Sequence, residues 1–454
     1  MEKIGLFEAI DQAMEYRKML PVNRAQLRKK RLYELVAYAR ENSPLYKKLY
    51  SDLPAGFTIS DLPHTNRDTF IHNYRDWSTD GDVTEYDIKD YLSTDYDRKR
   101  LFRKKYHVVS SSGTDNEPLI NLYDENFCRI ISVEHVLKGF PRLEYIWSFF
   151  LRRGRYAAIY TVNGPFFYNM FIKIRSEYLP LSKKRFLTLP AQASTEELTE
   201  ALNKFKPTIL SGFPSVLLRL AEAKESGTLH IRPICIVADG EFLEDESRAK
   251  LASVFNCEVT STYSSAETGV IAYECREHHL HINDDRIILE PIDSLGRPVP
   301  SGEESEMILV TNLLSYPQPV IRYALEDRVI LHDEECLCGD PSPWIEISGR
   351  SRDRLRLIDG TKKIIVPIVD MENVLKDETS ISRYQIVIYA GSRLSLRLSA
   401  AEGYDRTTAF FKAEKIMRSY MKSIGIMSPM ITLDKDEPLA DPLTGKFRTI
   451  IVES

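Results

Sequence analysis

Apolar side chains recur along this chain with two different periods, and the change of period outlines its organisation. From Arg24 to Glu41, Leu27, Leu32, Leu35, Val36 and Tyr38 return at near-helical spacing among charged residues, so the start of the chain reads as helical. Further on, Ser194-Thr195-Glu196-Glu197 has the pattern of a capping box, and Leu198, Ala201, Leu202 and Phe205 continue a helical stripe behind it. Lys206-Pro207 breaks that stripe, and Thr208-Ile209-Leu210 reads as a short buried strand. Gly212-Phe213-Pro214-Ser215 then opens a helix through Val216, Leu217, Leu220 and Ala221 that stops near Gly227. Ile234 to Ala238 is a second apolar strand, Leu251, Val254 and Phe255 mark the next helix, and Glu258 to Tyr263 the next strand. Strands alternating with helices predict an α/β core with a parallel sheet.

The texture changes after about residue 280. Ile287-Ile288-Leu289-Glu290, Met307-Ile308-Leu309-Val310 and Val320-Ile321-Arg322-Tyr323 are short strands between Gly/Pro turns, which predicts a β-rich, more antiparallel part over about 280–348. Gly349-Arg350 marks a second change, and residues 349–454 mix short strands with helices as a small α+β domain does. The expected division is therefore an N-terminal domain over 1–348 and a C-terminal domain over 349–454. Internal repeats and low-complexity linkers are not found.

Bulk properties narrow the function classes. A chain of 454 residues is too long for one ordinary core, so more than one domain is expected. Hydrophobic content of 43% with 28% charged residues suits a soluble globular protein, and a net charge of −5 argues against a chain-wide nucleic-acid footprint. No apolar run approaches the roughly 20 residues that span a bilayer. Met1-Glu2-Lys3-Ile4-Gly5 opens no apolar segment of signal-peptide length. Six cysteines do not form a secreted disulfide framework, so a cytoplasmic location is expected.

Candidate chemistry is concentrated in a few segments. His107-Val108-Val109-Ser110-Ser111-Ser112-Gly113-Thr114 is a short apolar run ending in consecutive hydroxyls and a glycine, a composition whose N–H and hydroxyl groups can wrap a phosphate chain. Five more segments follow in order: Asp239-Gly240-Glu241, Tyr263-Ser264-Ser265-Ala266-Glu267, Arg322 to Asp327, Gly349-Arg350, and Thr444-Gly445-Lys446. Separately, Cys275, His281, Cys336 and Cys338 offer three thiolates and an imidazole, a set suited to a closed tetrahedral structural Zn²⁺ site, with His279 a rival to His281. Cys128, Cys235 and Cys257 read as isolated thiols. The basic run Arg98 to Lys105 reads as a solvated face, with attraction of phosphates as the alternative.

In this order and spacing, from about residue 25 to 450, the chain resembles the adenylate-forming superfamily of acyl-CoA synthetases and adenylation domains, and within it the phenylacetate–CoA ligase-like branch. The resemblance implies a large N-terminal domain and a small mobile C-terminal lid that close over ATP and a small-molecule carboxylic acid. It implies ATP-dependent formation of an acyl-adenylate from an aryl or related acid and release of AMP as the acyl group passes to the thiol of CoA, with a carrier protein or a hydroxyl or amine acceptor as the alternative. Ser111, Ser112, Gly113 and Thr114 match the phosphate loop; Asp239, Gly240 and Glu241 the segment lining adenine; Tyr263 and Ser264 the adenine-stacking motif. Glu267 matches the Mg²⁺ ligand, Asp327 the ribose acceptor, Arg350 the hinge arginine on ribose or phosphate, and Lys446 the catalytic lysine of adenylation. Gly212 to Ser215 and the aromatics Tyr156, Tyr160, Phe166, Phe167 and Tyr168 are expected at the acyl pocket, and the branch often carries Cys…His…Cys-x-Cys where Cys275, His281, Cys336 and Cys338 stand. The chain departs from the pattern at Asp115-Asn116-Glu117, where carboxylates replace a lysine and repel triphosphate, at Asp239 and Ser264, which replace glycines, at Ala266, which replaces threonine, and at Leu325-Glu326. Those departures leave a non-catalytic nucleotide-binding relic as the alternative from a different class; retention of Glu267, Asp327, Arg350 and Lys446 favours an enzyme. Monomer and homodimer remain open.

Overall fold

The computed structural model describes residues 4–93, 101–111, 118–140, 144–145, 149, 154–162, 164–170, 183–350, 354–359, 362–389, 393–439 and 447–452. They fall into two compact units, Met1–Ser348 and Gly349–Ser454.

The first unit opens with helices Leu6–Lys18 and Pro21–Asn42. In the second, proline opens the first turn, where its missing N–H costs nothing, and Leu32, Leu35, Val36 and Ala39 form the buried stripe. The predicted apolar run over Val108 and Val109 is strand β1 (His107–Ser110), paired antiparallel with β2 (Ile120–Tyr123). The helix Glu125–Lys138 follows, capped by Asp124, which accepts from the Phe127 N–H at 2.8 Å.

Strands β3 (Tyr156–Tyr160), β4 (Phe186–Pro190), β5 (Ile209–Gly212), β6 (Cys235–Asp239) and β7 (Glu258–Ser265) pair in parallel. Helices Thr195–Phe205, Pro214–Glu225 and Asp245–Phe255 return the chain between them. The alternating α/β pattern read from the sequence is therefore the core of the unit. The capping box at Ser194 is formed: the Glu197 N–H donates to Ser194 Oγ at 3.2 Å, and the Ser194 N–H to Glu197 Oε2 at 2.9 Å.

Beyond β7 the direction reverses. Strand β8 (Gly269–Glu274) is antiparallel to β7, and β9 (Leu280–Ile282) is antiparallel to β8. A three-stranded antiparallel sheet then forms from β10 (Ile287–Ile292), β11 (Met307–Asn312) and β12 (Val320–Leu325). The β-rich part is not wholly separate, however. Strands β13 (Asp327–His332) and β14 (Trp344–Arg350) rejoin the main sheet, whose nine strands run β13-β14-β9-β8-β7-β6-β5-β3-β4. Hydrophobic alternation identifies a strand but carries no information about which neighbour it pairs with.

The second unit contains the hairpin β15 (Arg354–Asp359) and β16 (Lys362–Pro367), followed by β17 (Ile381–Tyr389), β18 (Arg393–Ala400), β19 (Ile431–Leu433) and β20 (Ile450–Val452). The last four form one sheet in the order β19-β18-β17-β20. The helix Arg406–Ser423 buries Ala409, Ala413, Met417 and Met421 at helical spacing, and Leu355, Leu357, Ile386 and Leu396 belong to the same core. No described helix is long and apolar enough to cross a membrane.

A buried charge cluster holds the first unit together around the turn Asn283-Asp284-Asp285-Arg286. Glu134, fully buried in helix Glu125–Lys138, accepts from Asn283 Nδ2 at 2.7 Å and from Arg286 Nε at 3.2 Å. One turn further on, Lys138 Nζ lies 3.0 Å from Asp285 Oδ1. Arg28 of the second helix reaches Asp284 at 2.6 Å, and Arg24 bonds Ser342, which itself donates to Asp284. Burial alone raises the pKa of Asp285, but Lys138 and Arg286 outweigh it and hold the carboxyl at about 2. Removing one partner strands buried charge. Asp285→Asn is therefore expected to lower stability by about 3–5 kcal/mol at neutral pH, read by urea denaturation. Because the folded pKa is depressed, the stabilisation is complete above the unfolded carboxyl range and fades as pH falls toward 2. The gap between wild type and variant must narrow in that window; a gap that stays constant with pH would show that the ionised carboxylate contributes nothing.

Candidate functional site

Parallel pairing aligns the carboxyl ends of β3, β5, β6 and β7 on one edge of the sheet, the edge where α/β sheets bind ligands. The segment Asp239-Gly240-Glu241 leaves β6 at this edge. Glu241 accepts from both the N–H and the Oγ of Ser215, each at 3.0 Å, which ties the segment to the first turn of helix Pro214–Glu225. Gly240 has φ +79°, and a Cβ there would stand 2.8 Å from both the Phe213 ring and the Tyr168 hydroxyl. Only glycine fits that combination of backbone angle and space.

Two of the sequence-predicted nucleotide positions meet directly. Tyr263, near the end of β7, donates its hydroxyl to Asp327 Oδ2 at 2.6 Å across 64 residues of chain. Asp327 opens β13 and is 8% exposed. Glu267, also 8% exposed, lies in the turn between β7 and β8. That turn is closed by the Thr268 N–H donating to Ser265 Oγ at 3.1 Å and by the Tyr123 hydroxyl donating to the Ala266 carbonyl. Burial, with Glu267 beside it, keeps the Tyr123 hydroxyl protonated. Arg322, the first residue of its motif, turns to structure: φ is +47°, Nε binds Glu290 at 3.1 Å, and Nη1 donates to the Leu62 carbonyl.

At the phosphate loop, Ser111 closes the base. Its N–H donates to the Leu119 carbonyl at 2.9 Å, and its Oγ accepts from the Leu119 N–H at 3.0 Å. Ser112, Gly113, Thr114 and Lys446 lie outside the described residues, as does the side chain of Arg350, whose backbone ends β14.

Among the described residues, one small cavity, about 40 Å³, runs along a face of the parallel strands. Tyr156, Ala158 and Tyr160 alternate onto that face from β3, joined by Ser211, Asp239 and Thr262 from the neighbouring strands. Phe167, Tyr168 and His135 also line it. Four of the five aromatics expected at a pocket are present; Phe166 is not among the lining residues. Tyr160 donates to Asp239 Oδ1 at 2.7 Å and shares a short hydrogen bond with Ser211 Oγ. The Tyr160 and Tyr168 rings stack at 4.1 Å and 5°, with Phe213 edge-on to both. Burial first, and the Asp239 charge second, push both tyrosine hydroxyls well above their usual range, so they remain donors. Sequence reasoning missed Ser211 and His135. The first was legible as the inward position of a short strand, whereas nothing local marks the second.

The thiols come together elsewhere. One ligand atom each from Cys275, His281, Cys336 and Cys338 lies within 4.8 Å of every other. Cys275 and Cys336 sulfurs are 3.8 Å apart, and Cys338 Sγ is 3.3 Å from His281 Nε2. A tetrahedral metal with sulfur at about 2.3 Å has sulfur–sulfur edges of about 3.8 Å. His281 Nδ1 lies 2.8 Å from the Ser342 carbonyl, which fixes that nitrogen as the donor and aims Nε2 at the thiols. The rival, His279, has Nδ1 3.3 Å from Cys336 Sγ and stacks on Trp344 at 3.8 Å. Burial pushes the Cys338 thiol up to about 12. Cys275 follows β8 and Cys336 follows β13, so the cluster lies toward the amino edge of the parallel strands, opposite Asp239 and Tyr263.

No family model matches the chain. It is 24% identical over 378 residues to a phenylacetate–coenzyme A ligase of Thermus thermophilus, covering 80% of this chain and 77% of that one. Protein CapK of Staphylococcus aureus is 30% identical over 135 residues, a match spanning 29% of this chain and only 28% of CapK. In three dimensions the chain shares its fold with 2-hydroxyisobutyryl-CoA ligase, solved in the postadenylation state with 2-HIB-AMP: TM-score 0.68 at 20% identity, over 96% of this chain and 91% of that one.

Gly240→Ala tests how tightly the β6 turn is held. Strained backbone and displacement of Phe213 and Tyr168 predict a loss of about 1–3 kcal/mol in thermal or urea unfolding. Unchanged stability would mean that the Tyr168 hydroxyl is not packed against the turn.

Proposed function

We propose that this chain, which belongs to the phenylacetate–CoA ligase-like branch of the adenylate-forming superfamily, activates a carboxylic acid with ATP and transfers the acyl group to the thiol of CoA. The observation that carries the reading is the Tyr263–Asp327 hydrogen bond, which joins two separately recognised nucleotide motifs at the carboxyl edge beside a cavity of acyl-pocket character.

In this reading the Tyr263 ring lies on adenine, with the Asp239-Gly240-Glu241 segment along its edge and Ser264 beside it. Asp327 accepts the ribose hydroxyls, a task suited to a carboxylate with its several lone pairs. Ser111, Ser112, Gly113 and Thr114 donate to the β- and γ-phosphates. An oxygen of the acid attacks the α-phosphorus, and the bond to pyrophosphate breaks. Lys446 and Arg350 stabilise the charge that builds on the phosphoryl and leaving groups. The CoA thiol then loses its proton and attacks the acyl carbon, and AMP departs. Glu267 is the hard-oxygen ligand for Mg²⁺, which neutralises the phosphates when bound. The unit Gly349–Ser454 serves as the lid, with its hinge at Arg352 or Asp353, both outside the described residues.

We also propose that Cys275, His281, Cys336 and Cys338 hold a structural Zn²⁺. The donor chemistry and the sulfur spacing fit, and four protein ligands leave no position for a reacting water.

Pyrophosphate release with a panel of aryl and aliphatic acids, with and without CoA, tests the main reading. Acid-dependent release that rises with CoA supports it. Release indifferent to CoA moves the acceptor to a carrier protein or another nucleophile, and ATP binding without release for any acid supports a non-catalytic relic. Lys446→Ala should depress adenylation by about 100-fold or more while sparing thioester formation from preformed adenylate; equal loss of both half-reactions removes that role. Glu267→Gln should weaken Mg²⁺-dependent turnover, and unchanged activity takes Glu267 out of the site. Elemental analysis should find close to one zinc per chain, with Cys336→Ser lowering both metal content and Tm; folded, metal-free protein rules the zinc site out.

A further inference from the structure

We infer that the acid activated by this chain carries a hydroxyl on its carbon skeleton, and that the Thr262 hydroxyl receives it inside the cavity. The inference rests on the acid-activating reading and specifies its substrate class. Successive side chains of β7 alternate in direction. Thr262 and Ser264 line the cavity, while Tyr263 between them packs on the core around Ile271 and Ile308 and reaches Asp327. The neighbouring cavity oxygens are engaged with one another. Tyr160 donates to Asp239 at 2.7 Å and shares a hydrogen bond with Ser211, and the Tyr168 hydroxyl bonds Asp239 and Ser264. Thr262 stands beside them as the register partner of Asp239, yet its Oγ1 is buried and finds no hydrogen-bond partner among the described residues.

A buried hydroxyl left unpaired costs free energy, and valine has nearly the same shape without that oxygen. Positions that break such a local rule cluster at functional sites, and this one lies on the wall of the cavity. The partner that Thr262 lacks within the chain is therefore a group on the ligand. A ligand hydroxyl satisfies it whichever way the Thr262 proton points, because each oxygen can donate to or accept from the other. The wall formed by Ala158, Phe167, Leu187 and Val270 is apolar and offers a hydroxyl no such partner. The acid is thus oriented with its hydroxyl on β7 and its carbon skeleton along the apolar wall. An analogue with hydrogen or methyl in that place covers Thr262 and leaves its oxygen stranded, which is the basis of discrimination. The same argument predicts a trade between function and stability: Thr262→Val removes the unpaired oxygen, so the free chain should be no less stable.

The test uses the full chain and acid-dependent ATP–pyrophosphate exchange. Ortho-, meta- and para-hydroxybenzoate and short hydroxylated fatty acids are each compared with the acids that have hydrogen or methyl in place of the hydroxyl. At least one hydroxy acid is expected to exceed both of its analogues by about 10-fold or more in kcat/KM. Thr262→Val should bring that ratio close to one, chiefly through KM, while Tm without ligand stays level or rises. Thr262→Ser, which keeps the oxygen, should retain the preference. Good exchange with no preference for any hydroxy acid would overturn this inference and leave the ligase reading intact. A preference that survives Thr262→Val would overturn it equally, as would a Thr262→Val chain that fails to fold, because the hydroxyl would then serve the structure. Failure of exchange with every acid would overturn both.

Discussion

The buried turn Asn283-Asp284-Asp285-Arg286 constrains the arrangement of the whole first unit. Charges taken out of water must find partners with good geometry, and here the partners come from three directions. Glu134 and Lys138 reach it from helix Glu125–Lys138, Arg24 and Arg28 from the second helix, and Ser342 from the strand-rich end. The same turn separates β9 in the main sheet from β10 in the three-stranded sheet. Helix Glu125–Lys138 cannot slide without breaking those pairs, and it carries His135 over the cavity.

Two edges of one sheet carry different sets of side chains. Strands β3 to β7 run in parallel, so their carboxyl ends present Tyr160, Ser211, Asp239 and Tyr263 together. The antiparallel return of β8 takes Cys275 to the other edge, where Cys336, Cys338 and His281 join it. This separation of the two sets follows from strand direction.

The departures from the resembling family's pattern are not equivalent. Leu325-Glu326 falls at the join of β12 and β13, where Asp327 keeps its hydrogen bond to Tyr263, so the substitution leaves that contact in place. Asp239 and Ser264 alter the cavity itself, and Tyr168 answers both.

What the chain determined by itself is local. The period of the apolar residues located the alternating helices and strands, and the capping box at Ser194 formed as written. Those features depend on residues a few positions apart, where backbone geometry leaves little choice. What tertiary structure decided is pairing across distance. The sequence did not show that β13 and β14 return to the main sheet, that His135 and Ser211 face the cavity, or that Tyr160 and Tyr168 hold Asp239. Nor did spacing choose between His279 and His281; the Ser342 carbonyl, distant in sequence, aims the His281 ring at the thiols. Each of these contacts is fixed by packing and by the demand that buried polar groups find partners, conditions that a one-dimensional pattern does not contain.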